Sequence, residues 1–262
     1  MTTLSGKAAI VTGGGTGVGK ATSLRLAQEG CNVVVNYSRS QEESEKTAQE
    51  VRGLGAKCLV HQADVADDGA CRGMVAAAEK EFGRIDFLVN SAGTTKFISA
   101  DDLEAVTDDV WLRLYQVNVL GPFHCIRAVK EPMLRAGGGA IVNVSSVAAR
   151  TANGSSIAYC CTKAALDNLT ISMARTLAPN IRVNGVAPGL ISSRWVAENL
   201  GQAAWEKTLK TAEEKTPLGR VCSPDDVAAA IMSFITGSQL LTGQTIVVDG
   251  GMMIAASSMM RR

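Results

Sequence analysis

The sequence predicts an α/β fold, a parallel sheet flanked by helices, and three observations carry that expectation. Short apolar runs rich in β-branched residues alternate with longer amphipathic stretches along the chain, the pattern of βαβ units with right-handed crossovers. The first run passes directly into the glycine-rich turn TGGGTGVGK, Thr12 to Lys20. The residues able to do chemistry fall in the turns that follow the runs, and in a parallel sheet those turns share one edge.

The first strand is expected over Lys7 to Thr12, bounded by Gly6 and Gly13. In the turn after it, Gly13, Gly17 and Gly19 let the backbone bend tightly and approach a diphosphate. A helix starting near Thr16 to Val18 aims unpaired N–H groups and its positive dipole end at such an anion. That helix runs through Ala21 to Glu29.

Asn32 to Tyr37 is the second strand, and the residues at its end bear on cofactor choice. A carboxylate about 20 residues past the glycines would take a ribose 2'-hydroxyl and repel a 2'-phosphate. The sequence has instead Ser38-Arg39-Ser40, with the first acid at Glu42. Arg39, helped by Ser38 and Ser40, suits a 2'-phosphate, so NADP(H) is expected and NAD(H) remains open. Ser40 and Glu43 also read as a capping box for the next helix, with Arg39 as solvated surface, and the two readings are compatible.

Cys58 to Ala63 is the third strand, and Asp64-Val65 after it is a candidate adenine edge. Asp67 or Asp68 caps a helix to Phe82. Ile85 to Val89 is the fourth strand, and the small residues Asn90-Ser91-Ala92-Gly93 let a cofactor lie against its end. A long helical stretch from Thr107 to Arg135 contains Asn118 and Pro122, which predict a kink or break near Asn118.

The run AIVNVSS carries Ser146 at the end of the fifth strand. Tyr159 and Lys163 follow at helical i, i+4 spacing, one turn apart on one face. An ammonium beside a phenol favours the phenolate, so Tyr159 is expected to have a lowered pKa and to act as acid or base. Cys160-Cys161 next to it read as helix residues on different faces. Ile181 to Ala187 is the sixth strand, and Pro188, Gly189, Leu190 and Ile191 turn out of it past the same edge. Residues 192–215 read as a helical flap over a substrate. Pro224 opens a helix to Ile235, Gln244 to Asp249 is the last strand, and residues 252–262 form a Met-rich tail.

Composition narrows the function classes. The 262 residues, 46% of them hydrophobic, fit one domain over 1–262 with a sizeable core. A net charge of +1, no basic run and 4% aromatics argue against nucleic acid as a partner. No stretch approaches the ~18 apolar residues of a membrane span. Seven cysteines in no repeating spacing and a start unlike a signal peptide suggest a cytoplasmic protein. His61 and His124 lack partners at metal-ligand spacing, so no catalytic metal is expected.

Taken together, Thr12-Gly13 with Gly17 and Gly19, Asn90-Ser91-Ala92-Gly93, Asn118, Ser146, Tyr159 with Lys163, Pro188-Gly189 and the ending LTGQTIVVDGG resemble the short-chain dehydrogenase/reductase family over essentially the whole chain. The resemblance implies a single Rossmann-type, doubly wound domain of about seven parallel strands in the order 3-2-1-4-5-6-7. It implies a catalytic tetrad: Tyr159 as proton donor or acceptor, Lys163 lowering its pKa and binding the nicotinamide ribose, Ser146 bonding the substrate oxygen, and Asn118 holding a relay water. Asn90 and the backbone near Ile191 would position the nicotinamide. Ser91 replaces a frequent second Asn. Ser193 replaces a Thr that often follows Pro-Gly near the carboxamide or diphosphate.

The expected activity is hydride transfer between NADP(H) and a small ketone or secondary alcohol. The alternatives are a 3-oxoacyl carrier-protein reductase, for which Arg135 and Arg150 are the candidate contacts to an acidic carrier, and a non-catalytic dinucleotide sensor. A homotetramer is expected by the same analogy.

Overall fold

A computed structural model describes residues 4–192 and 201–255 of the chain. Seven parallel strands form one sheet in the order β3-β2-β1-β4-β5-β6-β7, as the resemblance implied. They are β1 (Ala8–Thr12), β2 (Asn32–Tyr37), β3 (Cys58–Gln62), β4 (Phe87–Asn90), β5 (Gly139–Val144), β6 (Ile181–Pro188) and β7 (Thr245–Val248). The order reverses between β1 and β4, and in such sheets the crevice beyond the strand ends at that point is where ligands bind.

The helices are α1 (Gly17–Gln28), α2 (Gln41–Gly53), α3 (Asp68–Phe82), α4 (Asp108–Tyr115), α5 (Gly121–Arg135), α6 (Ala148–Thr151), α7 (Ile157–Leu177), α8 (Gln202–Lys215) and α9 (Pro224–Thr236). The central strands are buried on both faces, which is why they read as unbroken apolar runs rather than alternating ones. Ala9, Val11, Val33 and Val35 pack toward Leu26 of α1 and Val227 and Ile231 of α9. Ile10, Val34, Leu88 and Ile141 point the other way, into a layer built by α3, α5 and α7.

The long helix expected over Thr107 to Arg135 is real but irregular. Gln116–Leu120 forms a π-helical turn between α4 and α5, placing the break at Asn118. Pro122 follows that turn directly inside the continuous helix, where its missing N–H removes a ladder bond, in keeping with the irregular geometry just before it.

Two local expectations are corrected and one open choice is settled. Ser40 makes no side-chain cap on α2; its carbonyl instead accepts from the Ser44 hydroxyl at 2.7 Å, so the capping box with Glu43 does not form. Of the two candidate caps for α3, Asp67 accepts from the Ala70 N–H, while Asp68 pairs with Arg72 and Arg127. β5 stops at Val144, so Ser146 lies in the loop beyond the strand. Within the expected flap, Gln202–Lys215 is helical, whereas Ser193 lies outside the described residues. The expected tail contributes one 3-10 turn, Met252–Ile254, and residues 256–262 lie outside the description.

Candidate active site

The C-terminal strand ends open onto one cleft of about 1730 Å³, which reaches from Arg39 at one end to Tyr159 and Met252 at the other. That space exceeds the usual range for a single small ligand and suits a dinucleotide with a substrate beside it.

At the first end the backbone does the shaping. Gly13, at φ +63, turns the chain out of β1, and its N–H donates to Asn36 Oδ1 at 3.3 Å. Asn36 Nδ2 donates to the Ala63 carbonyl at 3.0 Å, so one buried amide ties the ends of β1, β2 and β3 together. Thr47 Oγ1 donates to the Gly15 carbonyl at 2.9 Å. The helix α1 begins at Gly17, φ +51, with no side-chain cap and no acidic residue in its first turn. A Cβ at Gly17 would meet nothing within 4 Å. With no side chain capping them and Gly15, Thr16, Gly17 and Val18 on the cleft wall, the first N–H groups of α1 are available to an anion.

Thr12 governs the next turn. Its hydroxyl accepts from the N–H groups of Ser91 and Ala92 at 3.1 and 3.0 Å, so the Asn90–Gly93 segment is held against the end of β1. Sequence reasoning named Thr12 only as part of the glycine motif and gave neither it nor Asn36 a site-building role. The available signal was a polar side chain at the end of an otherwise apolar buried strand.

The adenosine end lies past β2 and β3. Ser38 and Arg39 are exposed there, beside Ser40. Asp64 Oδ1 accepts from the Ala66 N–H at 3.0 Å and Oδ2 accepts from Arg113 at 3.2 Å. The carboxyl is held below its ordinary value: burial works the other way, but the hydrogen bonds from Ala66 and Arg113 and the nearby Arg39 charge outweigh it. Val65 lines the cleft, and its carbonyl contacts His124 Nδ1 at 3.0 Å.

The other end is built from buried side chains. Ser156 caps α7 by accepting from the Tyr159 N–H at 3.2 Å, which fixes the helix phase. Tyr159 and Lys163 therefore share the face toward Ser146, and all three line the cleft. Tyr159 also packs on a small apolar cluster with Val110, Leu114 and Ala158. Lys163 is 5% exposed, donates to the Val144 carbonyl at 2.8 Å, and stands 5.7 Å from the Tyr159 ring centre. Asn118, in the π turn, exchanges two hydrogen bonds with Thr94 and donates to Thr162 Oγ1 at 3.1 Å. A Cβ at Gly93 would sit 3.5 Å from Asn118 Oδ1 and 3.6 Å from Lys163 Nζ. Glycine there keeps the passage between amide and ammonium open.

Electrostatics correct one expectation. Burial pushes the Tyr159 phenol up to about 12, against a smaller downward pull from the Ser146 hydroxyl. The expected lowering by Lys163 does not appear. Its own ammonium is penalised by burial and falls to about 8, with the Asp167 charge opposing that shift. Dehydration disfavours the charged form of each group, the phenolate of Tyr159 and the ammonium of Lys163.

Most of the anticipated positions meet on the cleft wall: Thr16, Val18, Ala92, Pro188, Gly189 and Ile191 join those already placed. Two sit behind it. Gly19 packs against the Gly13 carbonyl, where any Cβ would collide. Asn90 is buried and donates to Asn143 Oδ1 at 2.8 Å, and Asn143 donates to Thr170 Oγ1 at 2.9 Å, so its amide nitrogen ties β4 to β5 while its Oδ1 has no partner among the described residues. Arg135 and Arg150, the candidate carrier-protein contacts, each have a partner within the chain. Arg135 ends α5, which returns the chain to the opposite sheet edge, and pairs with Glu79 at 2.6 Å; Arg150 donates to the Thr245 carbonyl at 2.8 Å. Cys160 is buried and Cys161 exposed, on different faces as expected, and all seven cysteines are free thiols. Among the described residues no group of three or more His, Cys, Asp or Glu could hold a metal ion, and no helix is long and apolar enough to cross a membrane.

The residues present fit a nicotinamide dinucleotide. The uncapped α1 terminus suits the diphosphate, and the cleft continues without a barrier to the Lys163 and Tyr159 pair.

Comparison with known proteins agrees with the geometry. A family model described as Enoyl-(Acyl carrier protein) reductase matches residues 13–253. The chain is 36% identical over 248 residues to the 3-oxoacyl-[acyl-carrier-protein] reductase of Staphylococcus aureus, covering 94% of this chain and 98% of that one. Its structure resembles a short-chain type dehydrogenase/reductase from Mycobacterium ulcerans with TM-score 0.88 and 30% identity, covering 98% of this chain and 93% of that one. It also resembles 7α-hydroxysteroid dehydrogenase complexed with NADH and 7-oxo glycochenodeoxycholic acid, with TM-score 0.85 and 30% identity, covering 95% and 94% of the two chains.

Proposed function

Since the chain belongs to the short-chain dehydrogenase/reductase family, an NAD(P)-dependent oxidoreductase of CH–OH and C=O groups, we propose that it moves a hydride between NADP(H) and a small ketone or the matching secondary alcohol. The observation that carries this reading is the meeting of Ser146, Tyr159 and Lys163 on the same cleft as the uncapped α1 terminus and Arg39.

The dinucleotide supplies or receives the hydride at its nicotinamide ring. The chain's own residues handle the oxygen. In reduction, Tyr159 donates its proton to the carbonyl oxygen while the Ser146 hydroxyl donates a second hydrogen bond. Both bonds strengthen as negative charge develops there, which is where they accelerate the step. Lys163 stabilises the phenolate left behind and holds a ribose hydroxyl. Asn118, fixed by Thr94 and Thr162, would place a water that returns a proton toward Lys163. A phenol near 12 keeps its proton at neutral pH, which favours reduction there.

NADP(H) preference rests on Arg39 with the Ser38 and Ser40 hydroxyls, and on the absence of a carboxylate at the end of β2. NADH in the 7α-hydroxysteroid dehydrogenase structure keeps the choice a matter for direct measurement. Assembly as a homotetramer is supported by two separate sets of exposed large apolar side chains. Leu218, Leu240, Ile246 and Ile254 lie around β7, and Leu112, Tyr115 and Ile171 lie on α4 and α7. Two distinct self-complementary faces are what such symmetry requires. Light scattering after gel filtration reads the assembly directly. A cytoplasmic location is in keeping with seven unpaired thiols.

A second reading, a 3-oxoacyl carrier-protein reductase, is favoured by the Staphylococcus aureus relative, while Arg135 at the end of α5 pairs with Glu79 and Arg150 donates to the Thr245 carbonyl. A panel of cyclic and aromatic ketones, secondary alcohols and an acetoacetyl thioester, followed by absorbance with NADPH and NADH, separates the readings. Ketone turnover with NADPH supports the first. A thioester reduced far better than any ketone would transfer the assignment to the second, and binding of nucleotide without turnover of any substrate would leave a sensor.

A further inference from the structure

A cation not required by the proton-transfer chemistry stands at the adenosine end of the cleft. Arg113 projects from α4 across to the loop after β3, where it pairs with Asp64 at 3.2 Å; both side chains are a little under half exposed. The two strands that carry Arg39 and Asp64 are hydrogen-bonded neighbours, with Tyr37 opposite Gln62. Arg39 and Asp64 each follow that pair by two residues, so the guanidinium and the carboxylate leave the same sheet edge side by side. The pairing continues into the loops, where the Ala63 N–H donates to the Tyr37 carbonyl at 2.9 Å and Gln62 Nε2 to the Ser38 carbonyl at 3.2 Å. Arg39, Asp64 and Arg113 all line the cleft.

This juxtaposition creates a conflict that Arg113 resolves. A carboxylate next to the position of a 2'-phosphate repels it, and a carboxylate next to Arg39 competes with the phosphate for that guanidinium. Arg113 offers Asp64 another partner, and the Ala66 N–H holds its second oxygen. Among the described residues Arg39 is left without an ion pair of its own. We propose that Arg113 is a specificity-determining residue for the cofactor, a positioning group that occupies Asp64 and so keeps Arg39 available to a 2'-phosphate. It deepens, and rests on, the NADP(H) reading above. The role belongs to α4, an element that contributes nothing to the glycine turn or to the β2 end where cofactor preference is ordinarily sought.

The test is a double-mutant cycle read as the ratio of kcat/KM with NADPH to that with NADH. Arg113→Ala should lower the ratio about three- to tenfold, through KM for NADPH with kcat retained. The effect is modest because half-exposed charges are screened. Asp64→Asn combined with Arg113→Ala should restore the ratio to within about twofold of the parent, since whatever Asp64 contributes to holding adenine is common to both cofactors and cancels. Competition by 2',5'-ADP against 5'-ADP, measured by calorimetry, should follow the same order. Equal losses for the two cofactors in Arg113→Ala, or a selectivity loss that Asp64→Asn leaves unrepaired, would overturn the proposal. The second of those outcomes would mean that Arg113 touches the nucleotide itself. Arg39→Ala, run in parallel, separates the two levels. If it leaves the ratio unchanged the NADP(H) reading falls, whereas a reduced ratio there with an unchanged ratio in Arg113→Ala removes only the role of Arg113.

Discussion

The two ends of the cleft do different work with different materials. Beyond β1, β2 and β3 the surface is mostly backbone: a left-handed glycine, an uncapped helix terminus, and buried amide and hydroxyl groups that hold loops in place. Beyond β5, on α7, the working atoms are side-chain atoms whose chemistry depends on dehydration. Burial raises the Tyr159 phenol to about 12 and lowers the Lys163 ammonium to about 8. The first end is specified by shape and charge and should tolerate changes of pH. The second is specified by a balance between desolvation and neighbouring dipoles, so one atom matters more there.

The sharpest way to break this comparison is Tyr159→Phe. It removes one oxygen and leaves the glycine turn and α1 terminus untouched. Turnover should fall about 10²- to 10⁴-fold while dinucleotide binding, followed by fluorescence titration, stays within a few-fold of the parent. Undiminished turnover would remove the phenol from the chemistry. The opposite pattern belongs to Arg39→Ala, at the other end. KM for NADPH should rise about ten- to a hundredfold with little change for NADH, because a charge-assisted hydrogen bond to a 2'-phosphate is lost. Equal losses with both cofactors would place Arg39 on the solvated surface.

The contrast also decides what could be read from the sequence. The glycine turn and the i, i+4 pair were legible because each follows from backbone sterics or periodicity, which local sequence records, whereas the strand order came only with the family resemblance. The break at Asn118 was legible for the same reason, since Asn118 and Pro122 are both poor helix-interior residues. What was not legible depends on distant partners. The roles of Asn36 and Thr12 required knowing which strands lie side by side, as did the hydrogen bond that ties Asn90 on β4 to Asn143 on β5. The Tyr159 pKa was misjudged in sign because spacing reports that a cation is near but not that both groups are dry. The capping box at Ser40 did not form, and nothing in the local sequence signalled that the Ser40 hydroxyl would leave the helix start uncapped.

A pH series sharpens the comparison at the proton-transfer end. A phenol near 12 is protonated at neutral pH, and reduction draws on that form. As pH rises through about 8 Lys163 loses its charge, the phenolate formed during reduction loses its stabilising neighbour, and the reduction rate should fall by up to about tenfold per unit. Oxidation needs the phenolate to accept a proton, so its rate should climb with pH across the same range. Initial rates in both directions from about pH 6 to 10 test this, with KM for the dinucleotide as the internal control. A dinucleotide KM that moves in step with the rates would mean that the two ends are not separate.

The smallest expected effect lies at the joint between the ends. Thr12 is 1% exposed and its hydroxyl is the acceptor for both the Ser91 and Ala92 N–H groups. Thr12→Val keeps the β-branched shape that suits a central strand but leaves two donors without that partner, a cost of about 1–3 kcal/mol. For a chain of this size that corresponds to a Tm lower by roughly 2–12 °C. Because the Asn90–Gly93 turn lies between the diphosphate end and the Lys163 passage, affinity for NADPH and NADH should weaken together, with their ratio kept. Calorimetric melting with paired titrations reads both quantities. A variant that melts normally yet discriminates between the cofactors would place Thr12 in the specificity of the first end rather than in the frame the two ends share.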